Sequence, residues 1–262
     1  SGESSNKGEW IMSLMEDYKK EPGGKEKLKE RNPKWINDDY VKFLRYGQHF
    51  IEKNGSGILA FINPHGYLDN PTFRGMRWNL LKTYDKIYTL DLHGNSTKKE
   101  TAPDGSVDVN VFDIMQGVSI NIFVKTGKKK ANELGKVFHF DLFGKRELKY
   151  DFLTDNSLQS ISYVQLENIA PNYAFIQKNF KAQKTYSEGF QLTELFSLNN
   201  VGIVTAKDAI LVNEKKEDLI LNIETHFNIE TDKSKVQKIS YRPFDIRYVY
   251  YDLKIIERGR EK

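Results

Sequence analysis

A chain of 262 residues, 39% hydrophobic and 29% charged, is long enough to bury a core as one large or two modest domains, which excludes a wholly disordered polypeptide. Zero cysteines exclude disulfides, thiolate nucleophiles and sulfur-bound zinc, in keeping with a reducing compartment. No run reaches the roughly 18 apolar residues of a membrane span and the first residues lack an apolar signal core, so the expectation is a cytoplasmic protein with no membrane partner; a net charge of +4 permits a polyanionic partner without demanding one.

In chain order, NDDYVKFLRYGQHFIEKN (Asn37 to Asn54) places Val41, Leu44, Gln48 and Ile51 on one face, with Asp38 or Asp39 as cap and Gly55 as stop, and predicts a helix. Gly57 to Asn63 is a continuous apolar run bounded by glycine and proline, the form of a strand buried on both faces. Asn70 then caps a second helix, with Pro71 in its first turn and Phe73, Met76, Leu80 and Tyr84 at helical spacing. Lys86 to Leu92 and Val118 to Lys125 read as two further strands. This order is the grammar of a parallel α/β sheet that ends in an antiparallel hairpin.

Between those two strands, Gly94 to Asn110 (GNSTKKETAPDGSVDVN) is far longer than the usual hairpin loop of about 2 to 5 residues. Long insertions often carry function, and Lys98, Lys99 and Glu100 are placed to meet a phosphate backbone; a solvated surface loop is the blander expectation. KKKANELG (Lys128 to Gly135) reads as an exposed turn, and VFHFDLFGKRELKYDFL alternates irregularly. VGIVTAKDAILV and ISYRPFDIRYVYYD both look strand-like, so a second, β-richer region is expected from about Phe180, dividing the chain into 1–180 and 181–262. Pro243 would mark an edge strand, with Arg242, Asp245 and Arg247 pairing along it. The chain opens SGESSNKGEW with no initiator methionine and stops at IIERGREK straight after an aromatic run, the form of an interior piece of something larger.

The stretch PHGYLDNPTFRGMRWNLL follows the first strand directly. In open sheets the loops at the carboxyl ends of parallel strands line the ligand crevice, where helix N-termini and strand ends leave backbone groups unoccupied. His65, Tyr67, Asn70 and Arg74 are therefore candidates to face a ligand, and Lys98, Lys99 and Arg146 join them as candidate DNA-facing residues. Taken singly, Asn70 caps a helix, Arg74 and Arg77 coat its outer face and Tyr67 packs.

YLDNPTFRGMR, IYTLDLHGNSTKKETAPDGSVDVNVFDIMQGVSINIFVK, GIVTAKD and ISYRPFDIRYVYYD together resemble the adenine-specific DNA methyltransferases of type I single-polypeptide restriction-modification enzymes. The resemblance covers about Asn37 to Arg260 and is most specific from Tyr67 to Val124. It implies the C-terminal half of a Rossmann-like methyltransferase sheet, then a linker and the start of a target-recognition domain. In that family a catalytic Asn-Pro-Pro-Tyr tetrapeptide is followed by residues similar to Ser1, Gly2 and the polar loop after them. Its asparagine and proline carbonyl accept hydrogen bonds from the adenine amino group, and its tyrosine stacks on the flipped base. Neither that tetrapeptide nor the glycine-rich loop for S-adenosylmethionine lies in this chain, so the cofactor would be bound mainly by the upstream part of the same polypeptide. The fragment is expected to be inactive alone, with no catalytic and no cofactor-binding residue of its own. Double-stranded DNA is the implied partner.

The resemblance also implies a second aromatic that sandwiches the extruded adenine, in a loop after the last hairpin strand. Tyr173 and Phe175 in IAPNYAF are the candidates, ahead of Phe138 and Phe140, since every base offers a stacking face worth roughly 1–3 kcal/mol. Basic residues of GKRELK and Arg242, Arg247, Arg258 and Arg260 are further phosphate candidates. The five histidines, His49, His65, His93, His139 and His226, show no i, i+4 pair and no nearby set of acidic partners, so no metal site is expected. Asp104 with Glu147 and Lys149 makes a short nuclease-like pattern of little specificity, and no phosphate-binding Gly-Lys loop or Gly-x-Ser-x-Gly elbow occurs. The alternative of a different class is a non-catalytic DNA-binding specificity module.

Overall fold

The computed structural model describes residues 6–30, 33–180, 185–186, 188–196 and 202–257. Two compact units divide at Phe180 and Lys181. The first contains α1 (Glu9–Met15), α2 (Asp39–Asn54), β1 (Gly57–Pro64), α3 (Arg74–Thr83), β2 (Lys86–Asp91), β3 (Val118–Lys125), β4 (Lys136–Asp141), α4 (Arg146–Asp155) and β5 (Val164–Leu166). Helix α2 ends on Gly55 at φ 86°, a left-handed cap that a residue with a Cβ adopts only under strain. Asn70 accepts from the Thr72 amide and starts a 3₁₀ turn, Pro71–Phe73, that runs on into α3.

Strand order in this sheet is β1-β3-β2-β4-β5. Strand β3 is antiparallel to both β1 and β2, and β4 is parallel to β2. The α/β class and the β2–β3 hairpin follow the reading from sequence; the sheet is mixed, because β3 inserts between two strands that run the same way. Strands β1, β2 and β4 therefore end at one edge, where β3 begins.

One face of the sheet carries the main core, in which Leu59, Phe123, Ile87 and Val137 lie under α1, α2 and α3. The opposite face packs Leu90, Val118 and Ile120 with Val111, Phe140 and Leu153 of α4. Strand β1 departs from expectation here. Leu59 and Phe61 face the core, but Ile58 and Ile62 are 69% and 48% exposed, so one face of the strand is open. A continuous apolar run shows that a strand has apolar residues on both sides, not that both sides are covered among the described residues.

The second unit has α5 (Leu192–Leu195), α6 (Asp208–Leu211), β6 (Val212–Asn213), α7 (Lys216–Phe227), β7 (Val236–Arg242) and β8 (Asp245–Tyr250). The strands form a sheet of order β6-β8-β7, closed by α7 through Leu219 and Ile223 against Leu211, Tyr250 and Ile256. Two expectations change in it. DAIL of the apolar GIVTAKDAILV coils into a helical turn, leaving a strand of only two residues, and Pro243 and Phe244, the latter at φ 65°, form the turn between β7 and β8, so Pro243 sits in a hairpin turn rather than along an edge strand. Arg247 pairs with Asp245 at 3.0 Å and stands over the Tyr241 ring at 4.6 Å. Arg258 and Arg260 lie outside the described residues. Among the described residues, no helix is long and apolar enough to cross a membrane.

Candidate functional site

The site grows out of the strand register. On the core face, residues two apart along each strand fall into rows across the sheet. The first row is apolar: Leu59, Phe123, Ile87, Val137. The second, Phe61, Asn121, Thr89 and His139, is mostly polar, and the third, Asn63, Ser119, Asp91 and Asp141, is entirely so. Polarity thus rises toward the edge where β1, β2 and β4 end, and buried polar groups there must satisfy one another. Asn121 donates to Asn63 Oδ1 at 2.8 Å and Ser119 Oγ at 2.9 Å, while Thr89 Oγ1 lies 2.8 Å from His139 Nδ1.

Beyond the edge, the loops carry this polarity outward. His65 follows β1 directly, and Gly117 is what admits it: a Cβ on Gly117 would stand 2.4 Å from the imidazole. His65 Nδ1 lies 2.9 Å from Asp91 Oδ1, and Asn95 Nδ2 is 3.4 Å from His65 Nε2. His93, two residues after β2, adopts φ 51°, a left-handed conformation uncommon for histidine. Its Nε2 lies 2.8 Å from Asp141 and its Nδ1 3.1 Å from Glu100, with the Phe143 ring stacked on it at 3.8 Å. Glu100 Oε2 in turn accepts from the Asn95 amide at 2.9 Å, and His139 Nε2 is 3.1 Å from Asp141. Three histidines and three carboxylates converge where sequence spacing gave the histidines no acidic company.

Electrostatics follow from this geometry. Burial, the largest influence, pushes the His93 imidazolium down, but hydrogen bonds to Asp141 and Glu100 and the charge of Asp91 overcome it and raise the group to about 9. Glu100 experiences burial too, yet His93 and the Asn95 amide hold its carboxyl at about 2, and the carboxyl of Asp141 is likewise held low against burial by His139 and His93. A cavity of about 130 Å³ opens on this cluster, lined by His65, Asp91, His93, Lys98, Glu100 and Asp141. A second, of about 260 Å³, lies beside it between Trp35, Tyr40, His65, Asn70, Phe73 and Lys98.

The long β2–β3 connection is not a structureless insertion. Thr101 bridges Val107 around a tight turn, and α4 fastens the rest. Lys149 is buried and donates to the Leu92 and Val109 carbonyls and pairs with Asp108 at 2.8 Å; Asp108 also receives the Gly94 and Gly144 amides. With its ammonium fully engaged, Lys149 has no place in a nuclease centre.

The candidates read from sequence separate clearly. His65 and Asn70 line the crevice, Asn70 while capping, and Lys98 and Lys99 are exposed on the loop beside it. Tyr67 does not face a ligand: it is fully buried in the core, in edge-to-face contact with Phe175, which is also fully buried. Phe175 is therefore not available to stack on a base. Phe138 stacks on Tyr88 and Phe140 on Phe152. Arg74 is held by Glu21 and Glu30 at 2.6 and 2.5 Å, and Arg146 by Asp113 at 2.7 Å and the Asn110 and Phe112 carbonyls; both are clamps rather than phosphate contacts. Tyr173 remains, half-buried, at φ 47°.

What holds Tyr173 there is Arg77, which sequence reading placed on an outer helix face. It is fully buried and donates to the Asn172, Tyr173, Tyr67 and Asn70 carbonyls, and burial lowers its guanidinium to about 10. The Phe175 amide adds a bond to the Leu68 carbonyl at 2.7 Å. Residues 172–175 are thereby stitched to the loop after β1, and Ile176 and Gln177 wall the smaller cavity.

No protein-family model and no curated protein matches this sequence. The fold recurs in solved structures. The chain superposes on LlaGI, a type ISP restriction-modification enzyme solved as a nuclease-deletion mutant with a DNA substrate mimic, at TM-score 0.69 and 19% identity over 95% of its length. It matches the ATP-dependent type ISP restriction-modification enzyme LlaBIII bound to DNA at TM-score 0.67 and 21% identity over 95%, and a DrdV–DNA complex at 0.62 and 20% over 87%. The chain spans 24%, 19% and 27% of the lengths of those three proteins. At such identities the shared property is the mixed α/β fold.

Proposed function

We propose that this chain is part of a DNA adenine methyltransferase of a restriction-modification system, supplying the base pocket and a DNA-binding surface while an upstream segment supplies catalysis. The observation that carries this reading is the likeness of fold, over 95% of the chain, to two type ISP restriction-modification enzymes solved with DNA or a DNA substrate mimic. The sheet order supports it: an antiparallel β3 between co-directed β1 and β2 fits the C-terminal half of a Rossmann-like methyltransferase sheet. So does the bare side of β1, where Ile58 and Ile62 offer apolar surface to a covering segment such as the upstream half.

In this reading S-adenosylmethionine is bound mainly by the upstream segment. The junction after β1 passes through Pro64 and His65 into a 3₁₀ turn filled by Tyr67 and Leu68, not a glycine-rich loop at a helix N-terminus. In this reading Tyr173, held by Arg77, stacks on the extruded adenine, and Lys98 and Lys99 touch phosphates. The second unit begins a target-recognition domain, and the whole works in the cytoplasm.

The test is transfer of a labelled methyl group from S-adenosylmethionine to an adenine-containing duplex, by this chain and by the longer polypeptide that includes its upstream segment. Incorporation by the longer form alone is expected. Incorporation by neither, with salt-sensitive duplex binding retained, favours the specificity-module reading.

A further inference from the structure

We propose that His65 Nε2, His93 Nδ1 and Glu100 Oε1 form a binding site for a divalent first-row transition metal at the carboxyl edge of the sheet. His65, His93 and Glu100 each bring one ligand atom within 4.8 Å of the other two, and His93 Nδ1 and Glu100 Oε1 are 3.1 Å apart. A tetrahedral ion with bonds of roughly 2.0–2.2 Å holds its ligand atoms about 3.4 Å apart, so closing the set needs small side-chain rotations.

What distinguishes this cluster from a chance meeting of charges is how each ligand is held from behind. Metal-bound histidines characteristically donate their other ring N–H to a carboxylate or carbonyl, which fixes the ring and leaves the ligating nitrogen as a lone pair. Both histidines have such a carboxylate behind them: His65 Nδ1 is 2.9 Å from Asp91, and His93 Nε2 is 2.8 Å from Asp141; the metal would take the place of the proton that lies between His93 Nδ1 and Glu100. Asn95 meets both ligands: its backbone amide holds Glu100 Oε2 at 2.9 Å and leaves Oε1 to His93, while its side-chain amide, 3.4 Å from His65 Nε2, marks that nitrogen as the one with the lone pair and would give way to the ion. Asp141 is itself braced by His139 at 3.1 Å. Gly117 clears the space His65 occupies, and His93 is kept in a left-handed backbone conformation.

Two imidazoles and one carboxylate suit zinc, cobalt or nickel rather than magnesium or calcium, which favour all-oxygen shells. Two histidines and a glutamate also leave a fourth position, and the cavity of about 130 Å³ that these residues line provides room for a water or an oxygen of a ligand there. The ion would tie the turn after β1 to the β2–β3 loop. This inference does not rest on methyl transfer, since metal uptake is measured without cofactor or DNA.

The experiment is titration of the purified, metal-stripped chain with Co²⁺, followed by its visible absorption and by equilibrium dialysis, then displacement with Zn²⁺. One Co²⁺ per chain, with visible bands bleached by Zn²⁺, is expected. His65→Gln and Glu100→Gln should weaken binding at least tenfold. Asp141→Asn should weaken it by about 10–100-fold through loss of orientation, and the exposed His226→Gln should leave it unchanged. Circular dichroism identifies variants that remain folded, and Glu100, partly exposed at the rim, is the variant least bound up with the core. No stoichiometric uptake by the wild-type chain, or uptake undiminished in folded Glu100→Gln and His65→Gln, overturns the proposal.

Discussion

The Arg77 guanidinium grips the carbonyl of Asn172, ninety-five residues further along the chain, through Nε at 2.9 Å and Nη2 at 2.6 Å. The same group binds the Tyr67 and Asn70 carbonyls, so one side chain joins the turn after β1 to the segment that carries Tyr173. Lysine has neither the planar fork nor enough donors to satisfy these oxygens. Arg77→Lys is expected to lower stability by on the order of 3 kcal/mol, because buried carbonyls are left unpaired. Urea denaturation of the chain measures it, and a loss below about 1 kcal/mol would show the clamp to be dispensable.

Tyr173 and Phe175 lie two residues apart and should behave differently. Phe175 is sealed in the core beside Tyr67, so Phe175→Ala should cost about 3–5 kcal/mol. Half-buried Tyr173 should cost less when truncated. In the longer enzyme, however, Tyr173→Ala should diminish the fluorescence rise of a 2-aminopurine placed at the target adenine. An undiminished rise removes Tyr173 from the base pocket.

Why these two could not be told apart from IAPNYAF is instructive. Local periodicity is legible where one face is buried: α2 and β3 appear where apolar spacing and a glycine stop place them, with β3 spanning Val118–Lys125 as read. What covers a face is a tertiary fact, and β1, α3 and residues 172–175 all turned on it. The histidine cluster had a signal of its own. Thr-x-Asp in β2, Ser-x-Asn in β3 and His-x-Asp in β4 each put two polar residues on one face near the end of an apolar strand. Sequence distance hid the convergence, since the partners meet across strands, and spacing rules for metal sites see only neighbours along one element.

The buried pair Lys149–Asp108 holds the β2–β3 loop against α4. Removing one partner strands the other charge away from water, so Lys149→Ala should destabilise the chain by about 3–5 kcal/mol, whereas replacing both residues by apolar ones of similar size should cost less. A double-mutant cycle in thermal unfolding checks this. Additive losses in that cycle would mean the two charges are not coupled.

Lys98 and Lys99 are exposed beside the crevice and stand in the proposed path of a phosphate backbone. Each phosphate contact adds close to one unit to the slope of log binding constant against log salt. Lys98→Gln with Lys99→Gln should flatten that slope by about two units and leave the melting temperature unchanged. An unaltered slope would assign these lysines to plain solvated surface.

Arg74 tests the opposite assignment. Its bonds to Glu21 at 2.6 and 2.7 Å tie α3 to the segment after α1, and that contact holds the Glu21 carboxyl below its ordinary value of 4.5, against a smaller opposing effect of burial. A depressed carboxyl contributes stability that is present above its unfolded-state value and fades as acid protonates it in the folded state. Arg74→Ala should therefore lower the melting temperature at pH 7, and the gap from the wild-type chain should narrow as the pH falls from 5 toward 3. If Arg74 instead served DNA, the substitution would weaken duplex binding while the two melting curves stayed together at every pH.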